Sequence, residues 1–216
     1  MKAILLPVKA FRHSKERLAP HYSEDERAAL TRALCEDMFR VIAQVKGVDR
    51  VYVVSAEYHA LSLARQLNWH IIDEREQVSE SASVDAASLH CKRDGVQALL
   101  RLPIDLPLVT LSDIETLFYF LEPAPSVVIV PSHDGTGTNA LLRSPPDLFP
   151  SHFGPGSFAL HLKEAEKADA KIAIVRNERI ALDLDEPNDL RAAAGRVSPH
   201  SATARSLQRL GLRTPD

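Results

Sequence analysis

Residues 3–45 read AILLPVKAFRHSKERLAPHYSEDERAALTRALCEDMFRVIAQV. Three kinds of chain follow one another in this stretch. Residues 3–8 form a short apolar run of the kind that makes a buried strand. Residues 9–17 then carry four cationic side chains, Lys9, Arg12, Lys15 and Arg17. From residue 24 to 45, Leu30, Leu34, Met38, Val41, Ile42 and Val45 recur three or four apart and line one face of a helix. Ser23 with Glu26 three residues on is a capping-box pattern, and Gly47 ends the helix. Strand, charged loop and helix in this order are a unit of a parallel sheet. In such sheets ligands bind beyond the carboxyl ends of the strands, which directs attention to the segment after each apolar run.

The same alternation continues. Further strands are expected at 50–55, 70–73, 96–102, 126–131, 138–143 and 171–175, and helices at 57–67, 84–93, 111–121, 157–168 and 187–194. This predicts an α/β fold with a mostly parallel sheet covered on both faces. The 216 residues suffice for one sizeable core. A hydrophobic fraction of 45% and a charged fraction of 25% are those of a globular domain, and a net charge of −3 lacks the basic excess of a nucleic-acid binder. The run 3–8 is too short for a signal-peptide core or a membrane span. Cys35 and Cys91 sit in no ligand spacing and read as reduced thiols of a cytoplasmic protein. Residues 195–216, with Arg196, Arg205, Arg209 and Arg213, read as a polar helix or tail facing solvent, or else as a segment for dimer contacts or site closure.

Five segments after the strands carry candidate chemistry. The cationic loop 9–17 suits a polyphosphate, because Arg forks and Lys ammonium groups match phosphate oxygens. It contains neither a Walker GxxxxGK[ST] nor a GxGxxG string. Asp105 ends an apolar run between Pro103 and Pro107. A lone carboxylate there is costly unless paired or bound to a metal, and Thr110 and Ser112 are better placed to cap the next helix. A metal-ligand role is therefore favoured for Asp105. Asp134-Gly135-Thr136-Gly137-Thr138-Asn139 offers backbone N–H groups and hydroxyls to an anion, and is also a hairpin-turn signal. Phe153-Gly154-Pro155-Gly156-Ser157-Phe158 opens a helix, where an anion is favoured and where Ser157 would also serve as a cap. Asp183 and Asp185 alternate, so an extended segment points them the same way, toward a shared cation. Asp189 belongs to the first turn of the following helix.

These segments, in this order, resemble the phospholactate guanylyltransferase family of deazaflavin coenzyme F(420) biosynthesis over residues 3–194. The resemblance implies a three-layer α/β/α nucleotidyltransferase domain over 1–194, Rossmann-like and of the GT-A type. It implies Mg2+ on Asp105 with Asp183 or Asp185 as second ligand, GTP triphosphate contacts from Lys9, Lys15 and Arg17 with Arg12 close by, and an acceptor cradle of Thr138, Gly154 and Ser157. The family's acceptors are 2-phospholactate, phosphoenolpyruvate and 3-phosphoglycerate. One departure is Ser83-Val84-Asp85-Ala86-Ala87, where many members carry Gly-Leu-Asn-x-Ala; residues 74–83 also differ. An ionised aspartate only accepts, and guanine's N1–H and amino group donate, so Asp85 suits guanine reading and equally suits an altered base or acceptor choice.

The expected reaction is an in-line displacement at the α-phosphorus of GTP by an oxygen of the acceptor's phosphate. That oxygen is already ionised near neutral pH, so no general base is needed, and the nine histidines, His133 and His161 among them, read as structural or surface residues. The competing readings are a nucleotidyltransferase for a molybdopterin or sugar phosphate and a non-catalytic nucleotide-binding regulator. A homodimer is the default assembly for such a domain.

Overall fold

A computed structural model of the chain describes residues 1–74 and 78–213. The first apolar run becomes β1 (Lys2–Val8), and its alternate side chains decide the layering. Ile4, Leu6 and Val8 pack with Met38, Phe39 and Ile42 of α1 (Glu24–Ile42), Ala60 and Ala64 of α2 (Tyr58–Gln66), and Ile114 and Leu117 of α4 (Leu111–Tyr119). Ala3 and Leu5 face the other way, against Val84, Ala87 and Cys91 of α3 (Glu80–Arg93). Beneath α5 (Ser157–Lys167) lie Val127 and Ile129 of β5 (Ser126–Pro131) and Leu141 of β6 (Thr138–Ser144), packed with Ala165. A strand apolar on both faces thus gives a sheet with helices on both sides, as expected.

The sheet order is β3-β2-β1-β4-β6-β5-β7, with β2 (Arg50–Ser55), β3 (His70–Asp73), β4 (Ala98–Arg101) and β7 (Lys171–Ile174) completing the seven strands. β6 runs antiparallel to both its neighbours, β4 and β5, and every other pairing is parallel. The β5–β6 turn is the hairpin that Asp134-Gly135 signals. Asp134 accepts from the Ser132 hydroxyl at 2.5 Å and the Thr136 N–H at 2.9 Å, and Gly135 takes the left-handed φ of +75° that such a turn demands. Because β6 is antiparallel, its first residue, Thr138, lies beyond the carboxyl end of β4.

Three helices follow: the single-turn α6 (Glu178–Ala181), α7 (Pro187–Ala194) and α8 (Ala202–Arg209). The expectation of a solvated segment after residue 195 is corrected here. Leu207 and Ala204 of α8 and Val197 are buried in a second apolar cluster with Leu18, Leu30, Leu34, Leu108, Leu182, Leu184 and Leu190. Asp37 of α1 accepts from the Ala202 and Thr203 N–H groups at 3.0 and 2.7 Å, which ties the start of α8 to α1. Residues 214–216 of that segment, and 75–77 of the divergent stretch 74–83, lie outside the described residues. Among the described residues no helix is long and apolar enough to cross a membrane.

Candidate active site

Asp105 follows β4, and the segment carrying Asp183 and Asp185 is laid against it by a backbone hydrogen bond from Leu184 N–H to the Asp105 carbonyl, 3.2 Å. Leu184 is wholly buried, so the two aspartates that flank it point together toward Asp105. One oxygen from each of the three carboxylates lies within 4.8 Å of the others. Asp189 holds the segment from behind, accepting from the Asp185 and Glu186 N–H groups at 3.1 and 2.7 Å within the capping box of α7. Asn139, on β6, donates to the Ile180 and Ala181 carbonyls at 2.9 Å and to Asp183 at 3.2 Å.

Lys15 enters this triad. Its ammonium donates to Asp105 at 2.5 Å and Asp185 at 2.9 Å, and its side chain is 5% exposed. The backbone there is left-handed, φ 57°, a conformation costing a non-glycine residue roughly 1–2 kcal/mol. Burial works against the charged ammonium, but the two carboxylates outweigh it and hold Lys15 above its usual range. Burial likewise opposes the Asp105 carboxylate, and Lys15 with Arg101 pulls it below its usual value. Among the described residues no ion pair reaches Asp183, whose hydrogen bond comes from the neutral Asn139 amide. Burial, then Asp105 and Asp185, push it up to about 6.

This donor set fits a divalent cation. Among the described residues Asp105 Oδ1 is buried with no hydrogen-bond partner. Three clustered carboxylates, one of them held toward protonation by burial and by the other two, are a hard oxygen site of the kind Mg2+ takes. Asp105, Asp183 and Asp185 would hold it.

The four cations of the first loop do not form one cluster. Arg17 stands 3.8 Å from Asp185 and 3.7 Å from Glu186 at the rim of the triad. Lys9 approaches Glu80 at 3.8 Å. Arg12 turns away to the start of α1, pairing with Glu24 at 2.7 Å. Asp85 accepts from the Ser151 N–H at 3.0 Å and lies 3.8 Å from Arg143.

On the α5 side, the first turn of the helix packs against the hairpin. Phe158 N–H donates to the Thr136 carbonyl at 3.0 Å, and Ser157 N–H to the Gly154 carbonyl at 3.1 Å. Gly154 and Gly156 have φ of +124° and +73°, and Ser157 is buried. A Cβ on Gly137 would stand 2.8 Å from Ser132 Oγ and 4.0 Å from Ser157 Oγ, so a side chain there would displace the Ser132 hydroxyl, which accepts from the Gly137 N–H. Thr138 Oγ1 lies 3.0 Å from His161 Nδ1.

Several residues here escape sequence reading. Arg101 is buried at the end of β4, pairs with Glu80, and lays its guanidinium 4.0 Å from the Phe153 ring centroid. Burial lowers its pKa to about 10, against the pull of Asp105 and Asp183. The available signal was an arginine inside the apolar run Leu99-Leu100-Arg101-Leu102, since arginine is seldom buried unless paired. Asn139 follows the glycine–threonine turn, where nothing in the sequence marks its bonds to Ile180, Ala181 and Asp183. Glu80 and His161 gave no local signal.

Residues 1–205 match a protein family described as guanylyl transferase CofC like. The chain is 35% identical over 188 residues to the phosphoenolpyruvate guanylyltransferase of Rubrobacter xylanophilus, covering 86% of this chain and 90% of that one. It is 31% identical to the 2-phospho-L-lactate guanylyltransferase of Methanothermobacter thermautotrophicus (86% and 81%). It is 29% identical to the 3-phospho-D-glycerate guanylyltransferase of Colwellia psychrerythraea (91% and 92%). Among solved structures, one described as a nucleotide-diphospho-sugar transferase of Desulfovibrio desulfuricans superposes with a TM-score of 0.77 at 17% identity, covering 96% of this chain and 94% of that one, which supports the nucleotidyltransferase-like fold. A triad of carboxylates beyond the strand ends, the fold and the match over 1–205 agree: the chain belongs to the CofC-like guanylyl transferase family.

Proposed function

We propose that this protein is a Mg2+-dependent, cytoplasmic guanylyltransferase of coenzyme F(420) biosynthesis. It transfers GMP from GTP to the phosphate of a small phosphorylated carboxylic acid: phosphoenolpyruvate, 2-phospholactate or 3-phosphoglycerate. The observation that carries the reading is the convergence of Asp105, Asp183 and Asp185, with the Lys15 ammonium between Asp105 and Asp185. A phosphate oxygen of the acceptor bonds to the α-phosphorus, the bond from that phosphorus to the β-bridging oxygen breaks, and pyrophosphate leaves with the electron pair.

Both reactants are polyanions, so the residues' main task is to bring negative charges together. Bound at the triad, Mg2+ supplies charge neutralisation at the phosphate oxygens. Lys15, Arg17 and Lys9 hold the triphosphate and stabilise the leaving pyrophosphate, with Arg12 at the outer edge. Thr138, Gly154 and Ser157 receive the acceptor's phosphate and carboxylate. Asp85, which already accepts from the Ser151 N–H, has acceptor sites left for guanine's donors.

The test is a turnover competition. GTP, Mg2+ and equal amounts of the three acids are supplied, and products are identified by mass. A guanylylated acid is expected, and the Asp105→Asn variant, still folded by circular dichroism, turns over at least about a thousandfold more slowly. Near-normal turnover by that variant would remove the metal assignment. GTP binding without product from any acid would remove the acceptor class.

A further inference from the structure

We propose that His161 is a positioning residue for the acceptor: its Nδ1–H caps a lone pair of Thr138 Oγ1, so that the threonine hydroxyl directs its own hydrogen at the acceptor's anionic oxygens. The inference rests on the reading that Thr138 touches the acceptor.

The hydrogen-bond pattern fixes the tautomer. His161 is wholly buried in α5. Its Nε2 accepts from the His152 backbone N–H at 2.9 Å, and a backbone N–H can only donate. Nε2 is therefore unprotonated, and the neutral ring carries its hydrogen on Nδ1, 3.0 Å from Thr138 Oγ1. A second ring proton would meet the His152 N–H head on. Burial, then Arg143, His152 and Arg101, also disfavour it and hold the ring pKa down at about 3. The ring is a fixed donor.

That matters for the hydroxyl. A threonine Oγ has one hydrogen and two lone pairs. A lone pair presented to phosphate or carboxylate repels, and a hydrogen attracts. Had a carbonyl stood in place of His161 Nδ1, the hydroxyl hydrogen would be consumed there. Among the described residues Thr138 Oγ1 has no hydrogen-bond partner other than His161, so its hydrogen is free to donate. Thr138 lies beyond the carboxyl end of β4, and the next residue, Asn139, touches Asp183. Thr138 follows Gly137, whose Cβ position lies 4.0 Å from Ser157 Oγ, so on the proposed reading the hydroxyl sits beside the other acceptor contacts.

Two substitutions separate positioning from packing. Glutamine places its amide near the Nε2 position, keeping an acceptor for His152 N–H while losing the Nδ1 donor. Asparagine places its amide near Nδ1, keeping the donor and losing the acceptor. With whichever acid gives product, phosphoenolpyruvate first, His161→Gln is expected to raise the acceptor KM about tenfold, with the KM for GTP unchanged. His161→Asn is expected to stay nearer wild type, although it orphans a backbone N–H. In a Thr138→Val background His161→Gln adds nothing, and nitrogen NMR of the wild-type protein finds the hydrogen on Nδ1. An asparagine variant no better than glutamine, an undiminished effect of His161→Gln in the Thr138→Val background, or a hydrogen on Nε2 would overturn the proposal. If Thr138→Val alone leaves the acceptor KM unchanged, the acceptor contact at Thr138 is what fails.

Discussion

Lys15 occupies the charge-balancing position of the triad. Its ammonium lies 2.5 Å from Asp105 and 2.9 Å from Asp185, where a divalent cation would bind the same oxygens. On the proposed reading the lysine would have two places to act: between carboxylates when the site holds only protein, and on phosphate oxygens when metal and nucleotide are bound. Replacing it by methionine keeps the stem and removes the charge, leaving three crowded carboxylates without the ammonium that bridges two of them. Breaking a buried pair in this way costs about 3 kcal/mol. In the presence of a chelator, Lys15→Met should therefore melt about 10 °C below wild type. Added Mg2+ should raise the melting temperature of the variant more than that of wild type, because the competing ammonium is gone. Equal Mg2+ shifts in the two proteins, read by differential scanning calorimetry, would mean that Lys15 and the metal do not share the triad.

At the scale of elements, the site depends on a clamp between α4 and α6. Asp113 closes the capping box of α4 with Thr110 and receives a forked pair from Arg179, at 2.7 Å from Nε and 2.5 Å from Nη2, plus Asn177 at 2.7 Å. The single turn of α6 leads directly into Asp183, so this clamp sets where the second half of the triad begins. Burial opposes the Asp113 carboxylate, but its bonds to Arg179, Thr110 and Asn177 prevail and lower its pKa to about 2. A carboxyl depressed in the folded state stabilises above its unfolded value and loses that contribution as pH falls toward the folded one. Asp113→Asn should cost about 2 kcal/mol in urea unfolding at pH 7. The gap to wild type should shrink as pH is lowered below about 4, and a gap independent of pH would mean that the charge is not what holds α6. Elements of this kind mark the boundary of what sequence conveys. The Ser23 and Thr110 caps, the strand runs and Asp105 between its prolines were legible because their signals are local. The Asp113–Arg179 fork, the pairing of Arg101 with Glu80 and the contact of His161 with Thr138 join residues far apart in the chain, and no period or spacing encodes them. α8 was read as solvated because the side chains it buries are mostly small or polar, Ala202, Thr203, Ala204 and Ser206, with Leu207 the one large apolar group among them.

At the scale of the whole molecule, the loops that carry Lys15 and the triad stand on a second core. Leu18 follows the Lys15 loop, Leu108 follows Asp105, and Leu182 and Leu184 bracket Asp183; all four meet Leu190, Val197, Ala204 and Leu207 from the C-terminal segment. The cluster is distinct from the larger one between the sheet and α1, α2 and α4, although α1 supplies residues to both. The C-terminal helices thus hold the base of the triad together, and the sheet sets the strand ends from which its first member projects. Leu207→Ala, far from any reacting atom, removes buried methyl groups and should cost about 3 kcal/mol. The cost should not be uniform. Native-state hydrogen exchange should speed up at Leu184 N–H, which donates to the Asp105 carbonyl, more than at Val128 and Val130 in the centre of β5. Faster exchange confined to the second cluster would show that the site opens as a unit with the C-terminal helices, with activity lost on warming before the sheet melts. Equal acceleration in both clusters would instead make the protein one cooperative block, with α8 contributing to global stability and nothing specific to the site.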